Sequence, residues 1–204
     1  PMSRGLGDVY KRQESFYKFT VNEKGAIRFG MGAVKGVGRA AVETIVAHRQ
    51  EKPYESIFDL TQRIDLRAAN KKSFESLILA GGLDSLSDAH RSQYFHHNGD
   101  GVTFVEKALK YGAQHQENEQ SSQVSLFGAD AAVTIATPEL PICEPWTALK
   151  ELKQEKEVVG IYISAHPLDD FAPAMKHFCN AKLGVFNDMD ALVNKELSFG
   201  GMVG

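Results

Sequence analysis

Three features of the sequence predict a mainly α protein with small β elements (α+β). They are a glycine-pinched turn directly ahead of an amphipathic helix at 30–49, a helix, glycine pair and onward helix at 71–88, and a short alternating hairpin at 16–30. In the first, Gly36 and Gly38 bracket Val37. Glycine reaches backbone angles closed to other residues, so a turn made of Lys35, Gly36, Val37, Gly38 and Arg39 can point successive N–H groups outward where a helix begins. Such donors form an anion site. Val37 is expected to turn inward, and Ala41, Val42, Ile45 and Val46 recur at helical spacing, which anchors the turn to a core. Neither the six-residue glycine pattern of a dinucleotide site nor a preceding parallel-strand unit is evident. A hydrophobic residue between two glycines, a basic residue after them, and Ala and Ile at helical spacing together describe a helix-hairpin-helix whose ligand is a phosphate backbone.

The second unit repeats this design. Phe74, Leu77, Ile78 and Leu83 form an apolar stripe interrupted by Gly81 and Gly82, which predicts a helix over 71–80, a glycine turn, and a further helix from Asp88. Taken alone, Gly81 and Gly82 read equally as phosphate contacts or as a plain helix stop. Two units about 45 residues apart make a tandem pair that can grip both strands of a duplex. Between them, Pro53 and Tyr54 break the first helix and residues 56–63 read as a short one. Ahead of both, Tyr17, Phe19 and Val21 alternate on one face of a hairpin that turns at 22–25 and returns over 26–29, and that face is expected to pack on the helices. Residues 1–13 show neither strand alternation nor helical period and read as a foreign leader. The tandem domain is thus placed at 14–113.

Composition bounds the rest. With 204 residues and 43% hydrophobic content the chain can build one or two globular domains. Cys143 and Cys179 stand far apart without metal-ligand spacing, so neither a disulfide framework nor a zinc site is supported. No apolar run reaches ~20 residues and no signal-peptide pattern opens the chain, which reads as a cytoplasmic setting without a membrane partner. The net charge of −3 hides an asymmetry: residues 28–72 carry nine basic and five acidic side chains, a local +4 that leaves −7 elsewhere. Beside the hairpin, this favours nucleic acid over a small phosphorylated metabolite.

Residues 114–145 turn to Gln, Asn, Glu and Ser, then Pro138, Pro141 and Pro145, and read as a linker. Within it the cluster at 123–127, with Gln123, Leu126 and Phe127, either tucks back onto its own domain or is a peptide presented to a partner groove. Residues 146–193 read as a connecting segment, helical from Trp146 to Val159 with a strand over 160–164. His166 at a turn and the His96, His97 pair lack partners at catalytic or metal spacing, so no catalytic or metal-binding residue is assigned. Residues 194–204 read as the opening strand of a further domain.

Several separate stretches agree, in order, with one family. The runs at 27–38, 58–60, 77–84, 123–128 and 155–168 resemble the C-terminal part of the bacterial replicative DNA polymerase III alpha-subunit family, and the resemblance covers nearly everything from Phe16 onward. It implies a tandem helix-hairpin-helix on duplex DNA with Lys35, Gly36, Val37, Gly38, Arg39, Gly81 and Gly82 at the hairpins. It further implies a sliding-clamp peptide at Gln123, Leu126 and Phe127, an OB-fold starting near Asn194, and other replicase subunits as partners. The activity implied for the parent is template-directed, two-metal nucleotidyl transfer using magnesium. Its metal-binding aspartates belong to a palm domain that this sequence does not contain, so no cofactor is expected in this segment. Two rival classes are a stand-alone helix-hairpin-helix module of a repair protein and an enzyme domain with its own chemistry.

Overall fold

The computed structural model describes residues 15–21, 25, 27–97, 99–124, 135–187 and 192–202. They fall into two compact units, 1–164 and 165–204. Seven helices and a single two-stranded sheet among the described residues give the mainly α class with small β elements that the sequence predicts.

The first unit begins with the sheet, in which β1 (Thr20–Val21) pairs antiparallel with β2 (Ile27–Arg28), Thr20 opposite Arg28 and Val21 opposite Ile27. The expected packing of its apolar face is corrected, because Val21 and Ile27 are exposed and the residue that turns inward is Arg28. A ladder this short has no length to lay an alternating face against a helix. Contact with the core comes instead from Phe29 and Met31, just after β2.

α1 (Arg39–Glu51) buries Ala41, Val42 and Ile45 as its periodicity predicts. Its C-terminal carbonyls are covered by one side chain from further along: Arg63 donates to the carbonyls of His48, Lys52 and Pro53. α2 (Ile57–Arg63) starts on Ser56, whose hydroxyl accepts from the Asp59 N–H, and α3 (Lys71–Leu79) starts on Asn70, whose side chain accepts from the Ser73 N–H. Such caps satisfy donors that a helix start leaves open. α4 (Arg91–Phe95) is short. Leu60, Ile64, Phe74, Ile78, Tyr94, Phe104 and Val105 form the centre of the core, where the Phe58 ring meets those of Phe104 and Tyr111 edge-on at 5.8 and 5.1 Å.

α5 (Phe104–Val124) corrects the linker reading, since residues 114–124 continue this helix. The Gln116 side-chain amide donates to the carbonyls of Thr61, Gln62 and Ile64 at 2.9–3.1 Å, so a polar stretch is fixed to the end of α2 by hydrogen bonds that hydropathy does not register. Residues 135–147 then run extended along α4: Gln93 donates to the Pro141 carbonyl at 2.7 Å, Ser92 to that of Glu144 at 3.0 Å, and Trp146 stacks on Phe95. α6 (Ala148–Val159) follows and stops at Gly160, whose φ of +86° is a left-handed helix end.

The strand expected over 160–164 does not form. The Glu155 carboxylate accepts the N–H groups of Ile163 and Ser164 at 2.6 and 2.8 Å, which removes donors a sheet ladder needs. Helix and following segment both belong to the first unit, so the boundary expected at 145/146 lies instead after Ser164.

The second unit holds α7 (Ala172–Phe178) and a 3-10 turn at Leu183–Asn187. His166 occupies a turn, its N–H donating to Asp169 and its ring accepting from the Leu168 N–H. No strand is present over the described residues 194–202; Ser198 is held by the Asn180 backbone and side chain, at 3.2 and 2.9 Å, rather than by a ladder.

Candidate nucleic-acid interface

The turn ahead of α1 is built as the residues demand. Val34 and Val37 are buried at 5% and 7%, pinning both flanks, while Lys35, Gly36, Gly38, Arg39 and Ala40 are exposed. Gly36 sits at φ +88°, which an L side chain adopts only under strain, and a Cβ there would come within 2.9 Å of Ser76 Oγ and 3.3 Å of Lys72 Cε. Behind it, Ser73 Oγ donates to the Gly36 carbonyl at 3.2 Å. The back of the turn is thereby seated on the first turns of α3.

The five amides expected to face phosphate divide. The Lys35 N–H donates to the Val158 carbonyl of α6 at 2.8 Å and the Val37 N–H to the Val34 carbonyl at 3.1 Å, so these two are committed inside the molecule. The N–H groups of Gly36, Gly38 and Arg39, and that of Ala40 after them, have no partner among the described residues. Gly38 is the N-cap and offers no side-chain acceptor, so the donors of the first helical turn stay open toward solvent together with the positive end of the helix dipole.

Gly81 and Gly82 differ from this expectation. Gly81, at φ +70°, donates to the Ile78 carbonyl at 2.8 Å, Gly82 donates to the Leu77 carbonyl at 2.5 Å, and both residues are buried. This is a Schellman helix stop. A Cβ on Gly81 would lie 1.9 Å from the Arg91 guanidinium, which sits over the turn, donating to Asp84 at 2.7 Å and to the Leu79 carbonyl at 3.2 Å and lying 3.6 Å from Glu155. The helix-stop reading holds here, and neither glycine presents an amide to a ligand.

Much of the basic stretch is also engaged internally. Arg28 and Arg49 are buried, Lys52 pairs with Glu55, Arg63 with Asp59, and Lys71 with Glu75 and Glu106. Arg39 reaches Glu43 at 2.7 Å, a hydrogen bond that raises the guanidinium above its ordinary value. Lys35, Arg67 and Lys72 make no ion pair among the described residues. Lys72 is the member of the site that sequence reading missed: it is exposed with its stem against Gly36, and only its place within the basic stretch signals it.

Gln123 lies in the last turn of α5; Leu126 and Phe127 lie outside the described residues. Among the described residues no group of three or more His, Cys, Asp or Glu side chains is placed to hold a metal ion, and no helix is long and apolar enough to cross a membrane.

An N-terminal helix turn with open amides, seated on a second capped helix, defines a helix-hairpin-helix module, and the helix-hairpin-helix motif family matches residues 12–94. The similarity reaches well beyond that module. A DNA polymerase III subunit alpha of Haemophilus influenzae is 34% identical over 172 residues, 82% of this chain and 14% of the relative. That of Vibrio cholerae is 34% identical over 170 residues, with the same shares, and that of Escherichia coli K12 is 33% identical over 168 residues, 79% of this chain and 13% of the relative. The chain belongs to the DNA polymerase III alpha-subunit family, and it spans about one seventh of the length of these relatives.

Proposed function

We propose that this segment holds duplex DNA for a replicative polymerase by receiving a backbone phosphate at the turn before α1. The observation that carries the reading is the run of open N–H groups at Gly36, Gly38, Arg39 and Ala40, with Lys35 and Lys72 exposed beside it. Backbone donors to phosphate fix position without reading sequence, so affinity is expected to be indifferent to base order. It should also fall linearly with the logarithm of salt, because displaced counterions drive association. Anisotropy with two duplexes of unrelated sequence across a salt series tests this. A flat salt response, or strong preference for one duplex, overturns it.

The parent activity in this reading is magnesium-dependent, template-directed nucleotidyl transfer in a cytoplasmic replicase with other subunits. In this reading the segment supplies grip, and the chemical step belongs to another part of the parent protein. Similarity running far past residue 94 in each of these relatives favours this over a stand-alone repair module.

In the same reading Gln123, Leu126 and Phe127 dock in a hydrophobic groove of the sliding clamp. Two large apolar side chains buried on a partner yield ~3–5 kcal/mol gross, and ordering the segment offsets part of it. Micromolar binding by calorimetry is expected, lost in a Leu126→Ala, Phe127→Ala double variant and weakened less by Gln123→Ala. Equal binding by wild type and double variant removes the clamp role.

A further inference from the structure

Resting on the reading of the α1 N-terminus as a phosphate contact, we propose that Tyr17 and Glu43 are positioning residues that aim the Arg39 guanidinium at that phosphate. Arg39 is the first residue of α1, so its side chain leaves the backbone beside the open amides. It is three-quarters exposed, yet it is held on two sides. Its Nε donates to Glu43 Oε1 at 2.7 Å, and its Cζ stands 5.8 Å from the centre of the Tyr17 ring. Tyr17 is itself fixed against the chain: its carbonyl accepts the Gly32 N–H at 3.1 Å, and a Cβ on Gly32 would approach the ring to 2.5 Å.

The way Glu43 holds Arg39 decides its role. A carboxylate that competed with phosphate would take the two terminal nitrogens end-on, the bidentate arrangement that Arg makes with both anions. Here the contact is side-on, through Nε alone, and Nη1 and Nη2 make no hydrogen bond among the described residues. The fork edge that matches a phosphate is therefore left open while the torsions behind it are restrained. An arginine ordered before it binds loses less freedom on binding. Glu43 also repels phosphate by its charge, and the two contributions have opposite signs, so comparing Glu43→Gln, which removes the charge and keeps an acceptor, with Glu43→Ala, which removes both, separates them.

The test is duplex affinity by anisotropy at low salt with the full chain, in wild type, Glu43→Gln, Glu43→Ala, Arg39→Ala and the Arg39→Ala, Glu43→Ala double variant. Positioning predicts that Glu43→Ala weakens binding about threefold despite removing a negative charge, and that Glu43→Gln, which keeps an acceptor for Nε, binds at least as well as wild type. Arg39→Ala is expected to weaken binding about tenfold and to lower the salt slope by about one. In that background nothing is left to position, so Glu43→Ala should no longer weaken binding and, by removing a charge that repels phosphate, should tighten it slightly. Tighter or unchanged binding by Glu43→Ala, or a loss that adds to that of Arg39→Ala, overturns the proposal while leaving the phosphate site standing. Failure of wild type to bind duplex overturns the functional reading and this proposal with it. Both side chains are exposed, and unchanged helical circular dichroism in the variants confirms that affinity alone is being read.

Discussion

The glycine turns at 34–38 and 79–83 look alike in sequence, and the structure gives them opposite tasks. The first precedes a helix. There the chain has an excess of donors, and glycines without side-chain acceptors leave the N–H groups of Gly36, Gly38, Arg39 and Ala40 open to solvent. The second follows a helix. There the excess is of acceptors, and the N–H groups of Gly81 and Gly82 are drawn back onto the Ile78 and Leu77 carbonyls. A glycine pair is therefore a potential anion site or a closed cap according to which side of the helix it stands on. Its missing side chains make room for different neighbours as well: Ser76 and Lys72 of α3 behind Gly36 at the first turn, the Arg91 guanidinium at the second.

Substitutions that add a side chain at each turn probe this contrast. Gly81→Ala has the largest expected effect, because it strains a residue at φ +70° and displaces Arg91 from beside the buried Glu155. Loss of roughly 3–5 kcal/mol of stability in urea unfolding is expected, with duplex affinity of the remaining folded protein unchanged; full stability would show that the cap is not closed by Arg91. Gly38→Asp separates the two properties the other way. Gly38 has an ordinary φ of −77° and open space around its Cα, so an aspartate there supplies the missing N-cap and should raise stability by a few tenths of a kcal/mol. The same carboxylate would fill the position proposed for the phosphate, and affinity should fall at least about tenfold. A variant that binds as tightly as wild type would place the contact elsewhere.

The smallest effect tests how the first turn is backed. Glu106 takes hydrogen bonds from Lys71, first in importance, and from the Thr103 N–H and hydroxyl, which bring its carboxyl down to about 2. A carboxyl lowered on folding stabilises the native state above its unfolded value of 4.5 and ceases to do so as pH falls toward 2. The melting temperature of wild type should exceed that of Glu106→Gln by a constant, small margin above about pH 4.5, and the two curves should converge on acidification toward about pH 2. A margin that persists at the acid end would assign the effect to packing rather than charge.

Helices whose apolar residues recur on one face were legible from the sequence. Ala41, Val42 and Ile45 lie where the periodicity of α1 places them, as do Phe74, Leu77 and Ile78 in α3. The inward Val37 was legible too, because a hydrophobic residue between two solvent-facing glycines has one place to go. Long-range polar contacts were not. Nothing near Gln116 announces that its amide closes the end of α2, and nothing near Glu155 announces that it will take the N–H groups of a would-be strand. α5 did carry a local sign, Thr103 and Glu106 at capping-box spacing, which the structure shows as reciprocal hydrogen bonds. At the candidate site, the Val37 N–H is taken up locally by the Val34 carbonyl, but the loss of the Lys35 N–H to the inside depends on α6, and no local pattern in 34–38 encodes that.

The bond from Lys35 to the Val158 carbonyl joins positions about 120 residues apart, and that separation has a meaning during synthesis. Ribosomes add about 5–20 residues each second. Helix α1 is thus complete for roughly 5–21 s before the residue that seals its leading turn has been made. Throughout that interval the Lys35 N–H lacks its eventual acceptor, and once α3 has emerged the bond from the Ser73 hydroxyl is the one that can hold the turn from behind. The bond that completes the turn forms only when the far end of the first unit arrives, so finishing the turn and finishing the unit are one event.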